Sequence, residues 1–342
     1  MKKILSFALP IGIAAFFLWF TYSRDPEFKP SQMWADMQSA HILPILLTFI
    51  TTLIAHWLRA IRWNMLFKPL GYQPSTKSSF LAVMSGYFVN LIIPRAGEVT
   101  RCTVLLTSEK IPLQASIGSV IAERGLDFVV FGLLTLAAFG IEYQTLTNFV
   151  SDMMADPDAQ TGDESYLKWI LLAVFLAFGI IAFSFRKPLM QIPLIAKIFD
   201  FVKGLLDGLL SITKLEKPIA FVSLTAVIWF CYFLTTYFSL SIFDFTLDLG
   251  PKAAFLLLVI GSFGIILPVP AAAGGPFQSF VSSALIMLYL KDKSLSITAA
   301  TTMYYSQQVF TLILGGICYL ISVILANRMV DKTENKENLA HV

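Results

Sequence analysis

The stretch NLIIPRAGEVTRC, Asn90–Cys102, sets two arginines and a glutamate directly behind an apolar run, with Pro94 and Gly97 between them. The solvent around this stretch decides the fold. Of the 342 residues 56% are hydrophobic and 14% charged, with a mean hydropathy of +0.73, whereas a soluble domain carries about 25% charged residues. The chain therefore reads as an all-α polytopic membrane protein, and the charges at 95–101 as charges at membrane depth. Pro94 and Gly97 end a helix there. Lipid cannot satisfy the backbone groups so freed, and the break must line a polar cavity or be buried in protein. A helix restarting near Glu98 aims its N-terminal amides at that cavity, where anions are favoured.

A spanning helix needs about 20 mostly apolar residues. Six stretches qualify: 4–22, 42–66, 112–141, 166–185, 218–243 and 296–326. The first follows Lys2 and Lys3 as a secretory signal would, but TYSRDPEF carries no small-residue cleavage pattern, so an uncleaved span is expected. Two further stretches are broken. In 78–110 the second leg, VTRCTVLL and its neighbours, rises well under ~20 Å, too short for the ~30 Å hydrocarbon core. The stretch 252–290 is interrupted by LPVPAAAGGPF, leaving two marginal legs. Both are expected to be re-entrant hairpins.

Charge placement supports this. With both hairpins returning, 18 of the 25 Lys and Arg lie inside and 6 outside, Arg124 sits within a helix, and the acidic loop 142–165 lies outside. That satisfies the positive-inside rule with both termini inside; a complete crossing by the first broken stretch would invert everything downstream. The segment 188–215 has apolar residues at helical spacing and suits a helix in the cytoplasmic interface. Residues 1–327 form one transmembrane domain, and 328–342 are expected to be a disordered polar cytoplasmic tail.

The two breaks resemble each other. GYFVNLIIPRAGE, from Gly86, and GSFGIILPVPAAAGGPF, from Gly261, share Gly-x-Phe, an apolar stretch, a proline and then Ala-Gly. Interrupted helices at matching places in oppositely oriented halves point to an inverted-repeat transporter with its site near the midplane.

Arg95, Glu98, Arg101, Glu123, Arg124 and Asp127 are the candidates for membrane depth, with Arg59 and Arg62 at the inner end of the second span. Each central charge costs ~2.5 to 3.5 kcal/mol, so the group must be paired or wet. Glu98 and Arg101 are three apart and can meet on one face; Glu123 and Asp127 form an acidic face with Arg124 turned aside. Five arginines against three acids leave a surplus of two positive charges, and the guanidinium fork suits phosphate or carboxylate. For Arg59 and Arg62, snorkelling to the inner headgroups remains the alternative. The three cysteines are scattered and read as packing residues, and the histidines are isolated, with no nucleophile elbow or metal-ligand spacing. A net charge of +3 gives no argument for nucleic acid. No enzyme, cofactor or metal is expected.

Taken together, IPRAGEVTR, IAERGLDF and LPVPAAAGG resemble the lysylphosphatidylglycerol synthase transmembrane region family, from the first span to Asn327. The resemblance implies a bacterial cytoplasmic-membrane protein that moves, or helps move, an anionic phospholipid or lipid-linked anion. It carries over onto Pro94, Gly97, Glu98 and Arg101, then Glu123, Arg124 and Asp127, then Pro268, Pro270, Gly274 and Gly275. Gln278 stands where family members often place Glu, and Gln307 and Gln308 where an Arg is common, which puts ion coupling through this half in question. Arg101 and Arg124 are expected to hold the lipid phosphate, with Glu98, Glu123 and Asp127 orienting them and the tip Pro268–Gly275 gating the outer side. Two other classes stay open: a secondary transporter of a soluble organic anion, and a non-catalytic membrane subunit that partners lipid-synthesis enzymes. No cytoplasmic segment is long enough for a soluble aminoacyl-transfer domain.

Overall fold

A computed structural model describes residues 12, 15–19, 22, 30–141, 143, 215–267, 269–272, 274–289 and 291–340, the last thirteen of them by backbone alone. The span expected at 166–185, the loop 142–165 apart from Tyr143, nearly all of the interfacial segment 188–215, much of 4–22, and Pro268 lie outside these residues. Among the described residues there are nine α-helices of assigned bounds and no strand: α1 (Pro30–Gln38), α2 (Ile42–Phe67), α3 (Thr76–Ile92), α4 (Ala96–Glu109), α5 (Leu113–Ile141), α6 (Pro218–Leu240), α7 (Pro251–Ile266), α8 (Pro276–Tyr289) and α9 (Lys293–Ala340).

Among the described residues four helices are long and apolar enough to cross a membrane: Ile42–Leu70, Leu113–Ile141, Pro218–Leu240 and Lys293–Asn327. They fall on the expected spans 42–66, 112–141, 218–243 and 296–326. Large apolar side chains on their outer faces, among them Leu133, Leu136, Ile219 and Leu320, are exposed, as a lipid-facing surface requires. The tail departs from expectation: α9 continues as one helix to Ala340. A helix already formed in the span extends by adding one hydrogen bond per residue, without a new nucleation cost.

The two broken stretches are helix-break-helix hairpins. Ile93 is extended (φ −118°, ψ 110°), as the residue before a proline must be, and this ends α3. Arg95 then takes a left-handed conformation (φ 63°) and α4 begins at Ala96, slightly earlier than the expected restart near Glu98. The Ser75 hydroxyl caps α3 by accepting from the Ser78 amide, and the Ser75 amide donates to Glu109 Oε1 at 3.1 Å. Both legs of the first hairpin therefore start and finish at one place. In the second, Lys291 Nζ bonds the Asp248 carboxylate at 2.6 and 2.7 Å, so its legs also share a base.

The bases lie at opposite ends of α2. The first adjoins the end of α2, where Asn64 Nδ2 donates to Pro74 O at 3.1 Å; the second adjoins its start, where the His41 amide donates to Ile242 O at 2.8 Å. The tips meet between them. Ala271 and Ala272 amides donate to the carbonyls of Asn90 and Leu91, each at 3.1 Å, and Tyr304 Oη on α9 donates to Ala271 O at 2.7 Å. α2 and α6 pack along their length, joined by the Thr51–Thr235 hydroxyl pair at 2.9 Å.

Glycines let the legs of each hairpin touch. A Cβ on Gly97 would overlap the Gly86 carbonyl and stand 2.7 Å from Asn90 Cγ; one on Gly264 would stand 2.7 Å from the Phe277 backbone nitrogen. Overpacking of this kind costs about 1 to 3 kcal/mol. Gly118, inside α5, has open space where a Cβ would sit. Gly97→Ala is expected to lower the melting temperature of the detergent-purified protein by several degrees, and Gly118→Ala to leave it unchanged or raise it. Equal behaviour of the two would show that close approach of the legs contributes nothing to stability.

Candidate functional site

Arg59, Arg62 and Trp63 follow one another on α2 at helical spacing and face Glu123 and Asp127, one turn apart on α5. Arg101 reaches the same point from α4. Glu123 is wholly buried, and its carboxylate accepts from three arginines: Arg59 Nε at 2.6 Å and Arg62 Nη2 at 3.0 Å on Oε1, and Arg101 Nη2 on Oε2. Asp127 accepts from Arg59 Nη2 at 2.9 Å and from Arg62 Nη1 and Nη2 at 2.7 and 3.0 Å. Arg59 also donates to the Tyr87 hydroxyl and, at 3.4 Å, to that of Tyr232; Arg62 donates to Thr225 Oγ1 at 3.0 Å.

Aromatic rings complete the desolvation. The Arg101 guanidinium stacks over Trp63 at 4.3 Å from its ring centre, and Trp63 Nε1 is held by Ser119 Oγ at 2.8 Å. Arg59 and Arg62, 5% and 0% exposed, do not snorkel. Their heads turn inward because two carboxylates are available there, and charge-assisted bonds to a buried carboxylate outweigh a reach to the surface. Glu123 lies ten residues into α5, a rise of ~15 Å, so the cluster sits well within the span.

A second pair lies further out. Arg124 Nη2 donates to Glu98 Oε1 at 3.2 Å, with side chains 47% and 32% exposed. Glu98 and Arg101, expected to meet each other on one face of α4, instead bond across to α5: Glu98 with Arg124 and Arg101 with Glu123. The reason is the packing of α4 on α5, which offers each an opposite charge on a neighbouring helix. The separation of Arg124 from the Glu123–Asp127 face holds.

A small half-open cleft joins the two pairs, lined by Val83, Gly86, Tyr87, Asn90, Gly97, Glu98, Arg101 and Arg124. It has room for roughly one water molecule (about 10 Å³). Two charged side chains bring buried polar atoms here without a partner, Arg101 Nε and Glu98 Oε2. Asn90 holds the break in shape, its Oδ1 accepting from the Gly97 amide at 2.7 Å.

In the second hairpin Gly274 and Gly275 take positive φ (62° and 90°), and the Gly275 amide donates to the wholly buried Gln278 at 2.6 Å. Gln278 thus fills the post that Asn90 fills in the first break. Pro94 and Pro270 are half-buried at their tips, and Arg95 is exposed and makes no ion pair among the described residues. Gln307 binds its own helix through Met303 O at 3.3 Å. The cysteines Cys102, Cys231 and Cys318 are free and buried. Among the described residues no group of three or more His, Cys, Asp or Glu is placed to hold a metal ion.

Sequence reasoning missed Tyr87, Trp63, Thr225, Asn90 and Tyr304. Trp63 sits one turn after Arg59, and Asn90 is the sole amide in an apolar leg; both spacings were visible. Thr225 left no signal, since threonine in a membrane helix commonly bonds its own backbone.

The model of the lysylphosphatidylglycerol synthase TM region family matches residues 7–315. A UPF0104 membrane protein of Methanocaldococcus jannaschii is 31% identical over 164 residues, covering 46% of this chain and 44% of that protein. The match therefore spans less than half the length of that relative. No solved structure matches the chain.

Removing one partner of a buried ion pair strands the other charge and costs about 3 to 5 kcal/mol, while an exposed pair is worth about 1 kcal/mol or less. Glu123→Gln is expected to destabilise severely, with strongly reduced folded yield and melting temperature in detergent, and Glu98→Gln to shift the melting temperature little. Similar melting temperatures for the two would contradict the assigned burial.

Proposed function

The chain belongs to the lysylphosphatidylglycerol synthase transmembrane region family, and from that premise we propose that this integral membrane protein carries a phospholipid or lipid-linked anion across a bacterial cytoplasmic membrane. The observation that supports this most directly is the guanidinium surplus beside the cleft. Arg59, Arg62 and Arg101 face only Glu123 and Asp127, leaving one net positive charge buried in the span. The phosphate of a headgroup drawn to Arg101 and Arg124 offsets that charge. A phosphate also offers oxygens to Arg101 Nε, which is buried without an acceptor.

In this reading the two hairpins are re-entrant, one from each side, and the halves α2–α5 and α6–α9 form an inverted repeat. Each half runs long helix, short helix, break, short helix, long helix. The meeting of the tips at Asn90, Leu91, Ala271 and Ala272 then acts as the barrier between the two faces. The headgroup enters by displacing the exposed Glu98–Arg124 pair while its acyl chains stay in lipid. The protein is a transporter in this proposal and performs no covalent step.

Reconstitution into vesicles with a headgroup-labelled anionic phospholipid tests the reading. The wild type is expected to accelerate crossing, Arg101→Ala to abolish the acceleration, and Arg124→Gln, whose exposed pair is dispensable for folding, to slow it at least about tenfold, a loss of ~1.4 kcal/mol. No acceleration by the wild type overturns translocation. Equal crossing by all three removes the arginines from the mechanism. Uptake of a labelled soluble organic anion without lipid crossing favours the secondary-transporter alternative, and loss of neither activity on neutralising the arginines favours a structural subunit of a lipid-synthesis complex.

The barrier has its own test. Tyr304→Phe removes the hydroxyl that holds Ala271 O, and hydrogen exchange at the Ala271 and Ala272 amides is expected to rise several-fold over that of the α7 interior. Unchanged exchange there would mean that the tip is held by other contacts.

A further inference from the structure

We propose that the cleft at the first break, widened as the Glu98–Arg124 pair parts, selects a headgroup bearing both charges, a phosphodiester whose primary ammonium stands a two-carbon bridge away, over a purely anionic one. The inference rests on the translocation reading and narrows its cargo. It starts from the two buried, unpartnered atoms in the cleft, which make opposite demands: Arg101 Nε is a donor without an acceptor, and Glu98 Oε2 is an acceptor without a donor. Both residues line the cleft. They stand three apart on α4, so the roots of their side chains are about 5–6 Å from each other.

A simple anion answers one demand and worsens the other. Its phosphate satisfies Arg101 and Arg124, yet sets a negative charge beside a carboxylate whose second oxygen is already unpaired. A primary ammonium supplies the missing N–H to Glu98 Oε2 and takes Arg124's place as the counter-charge of that carboxylate when the phosphate draws Arg124 away from Glu98 Oε1. A quaternary ammonium has no N–H and leaves Oε2 unbonded. An aminoacyl ester carries its nitrogens farther from the phosphate than the short Arg101–Glu98 spacing and overreaches the carboxylate.

The test presents the full-length protein in nanodiscs with equal amounts of four lipids of one acyl composition: phosphatidylethanolamine, phosphatidylcholine, phosphatidylglycerol and the lysyl ester of phosphatidylglycerol. Lipids retained on the protein are read by native mass spectrometry. Retention of phosphatidylethanolamine is expected to exceed that of phosphatidylglycerol about tenfold, the scale of one hydrogen bond to a charged group. Glu98→Gln is expected to bring the ratio close to one, and Glu98→Asp, which keeps the acceptor one methylene short, to retain part of the preference.

The proposal is overturned if phosphatidylglycerol, phosphatidylcholine or the lysyl ester is retained as well as phosphatidylethanolamine, or if Glu98→Gln leaves the ratio unchanged. Vesicle crossing is measured in parallel. Crossing without headgroup preference sinks this inference and leaves translocation standing; preference without crossing does the reverse.

Discussion

Glu123 is the carboxylate on which the rest of the membrane-embedded structure depends. It has no exposure, and guanidinium groups from α2 and α4 converge on it from two directions. Three helices are thereby fixed at one point, with Asp127 one turn further along α5 holding both α2 arginines again. A cluster of this kind is weak evidence for stability relative to an apolar core, because desolvating each ion costs several kcal/mol. Its value is specificity. Only one rotation of α2, α4 and α5 satisfies the carboxylates together, and any other leaves a charge stranded in hydrocarbon.

The same constraint explains the form of the hairpins. α4 is too short to be held by apolar burial across the whole bilayer, so its position is set by the Arg101–Glu123 bond, the Trp63 stack and the close approach through Gly86 and Gly97. Among the described residues the second hairpin has no such charge cluster at its tip. Gly261 and Gly264 pack onto Phe277, Gln278 satisfies the Gly275 amide, and Tyr304 holds the tip. The tip of the first hairpin is therefore locked by ion pairs and that of the second by neutral hydrogen bonds. Neutral bonds to backbone are individually worth about 1 kcal/mol and are readily exchanged. Movement in this molecule is thus more easily accommodated in the second hairpin than in the first.

The breaks were legible because their cause is local: Pro94 forces Ile93 into extended backbone, and the glycines at 274 and 275 accept positive φ. The long apolar spans were legible for the same reason, their composition being written in contiguous residues. Pairing was not. Glu98 and Arg101 satisfy the helical spacing for an ion pair, yet the rotation of α5 against α4, which no local pattern encodes, gives each a better partner. Arg59 and Arg62 show the same limit: their position near the end of a span fits snorkelling, and only the neighbouring acidic face on α5 turns them inward. The helical continuation of α9 past Asn327 depends on the helix preceding it rather than on its own polar composition.

The two tiers of charge also define a direction of opening. Breaking Arg101 from Glu123 in a closed chamber leaves an uncompensated buried charge, whereas parting Arg124 from Glu98 exposes two half-wet groups that water already reaches. The outer tier yields first under any force that widens the cleft. A ligand entering on that side meets a labile pair before it meets the buried surplus, so its own charge replaces a partner as each bond is lost. The inner cluster then need not dissociate for the cleft to be occupied. An arrangement with the tiers reversed, tight pairs outside and loose pairs within, would admit water to the core before any ligand arrived.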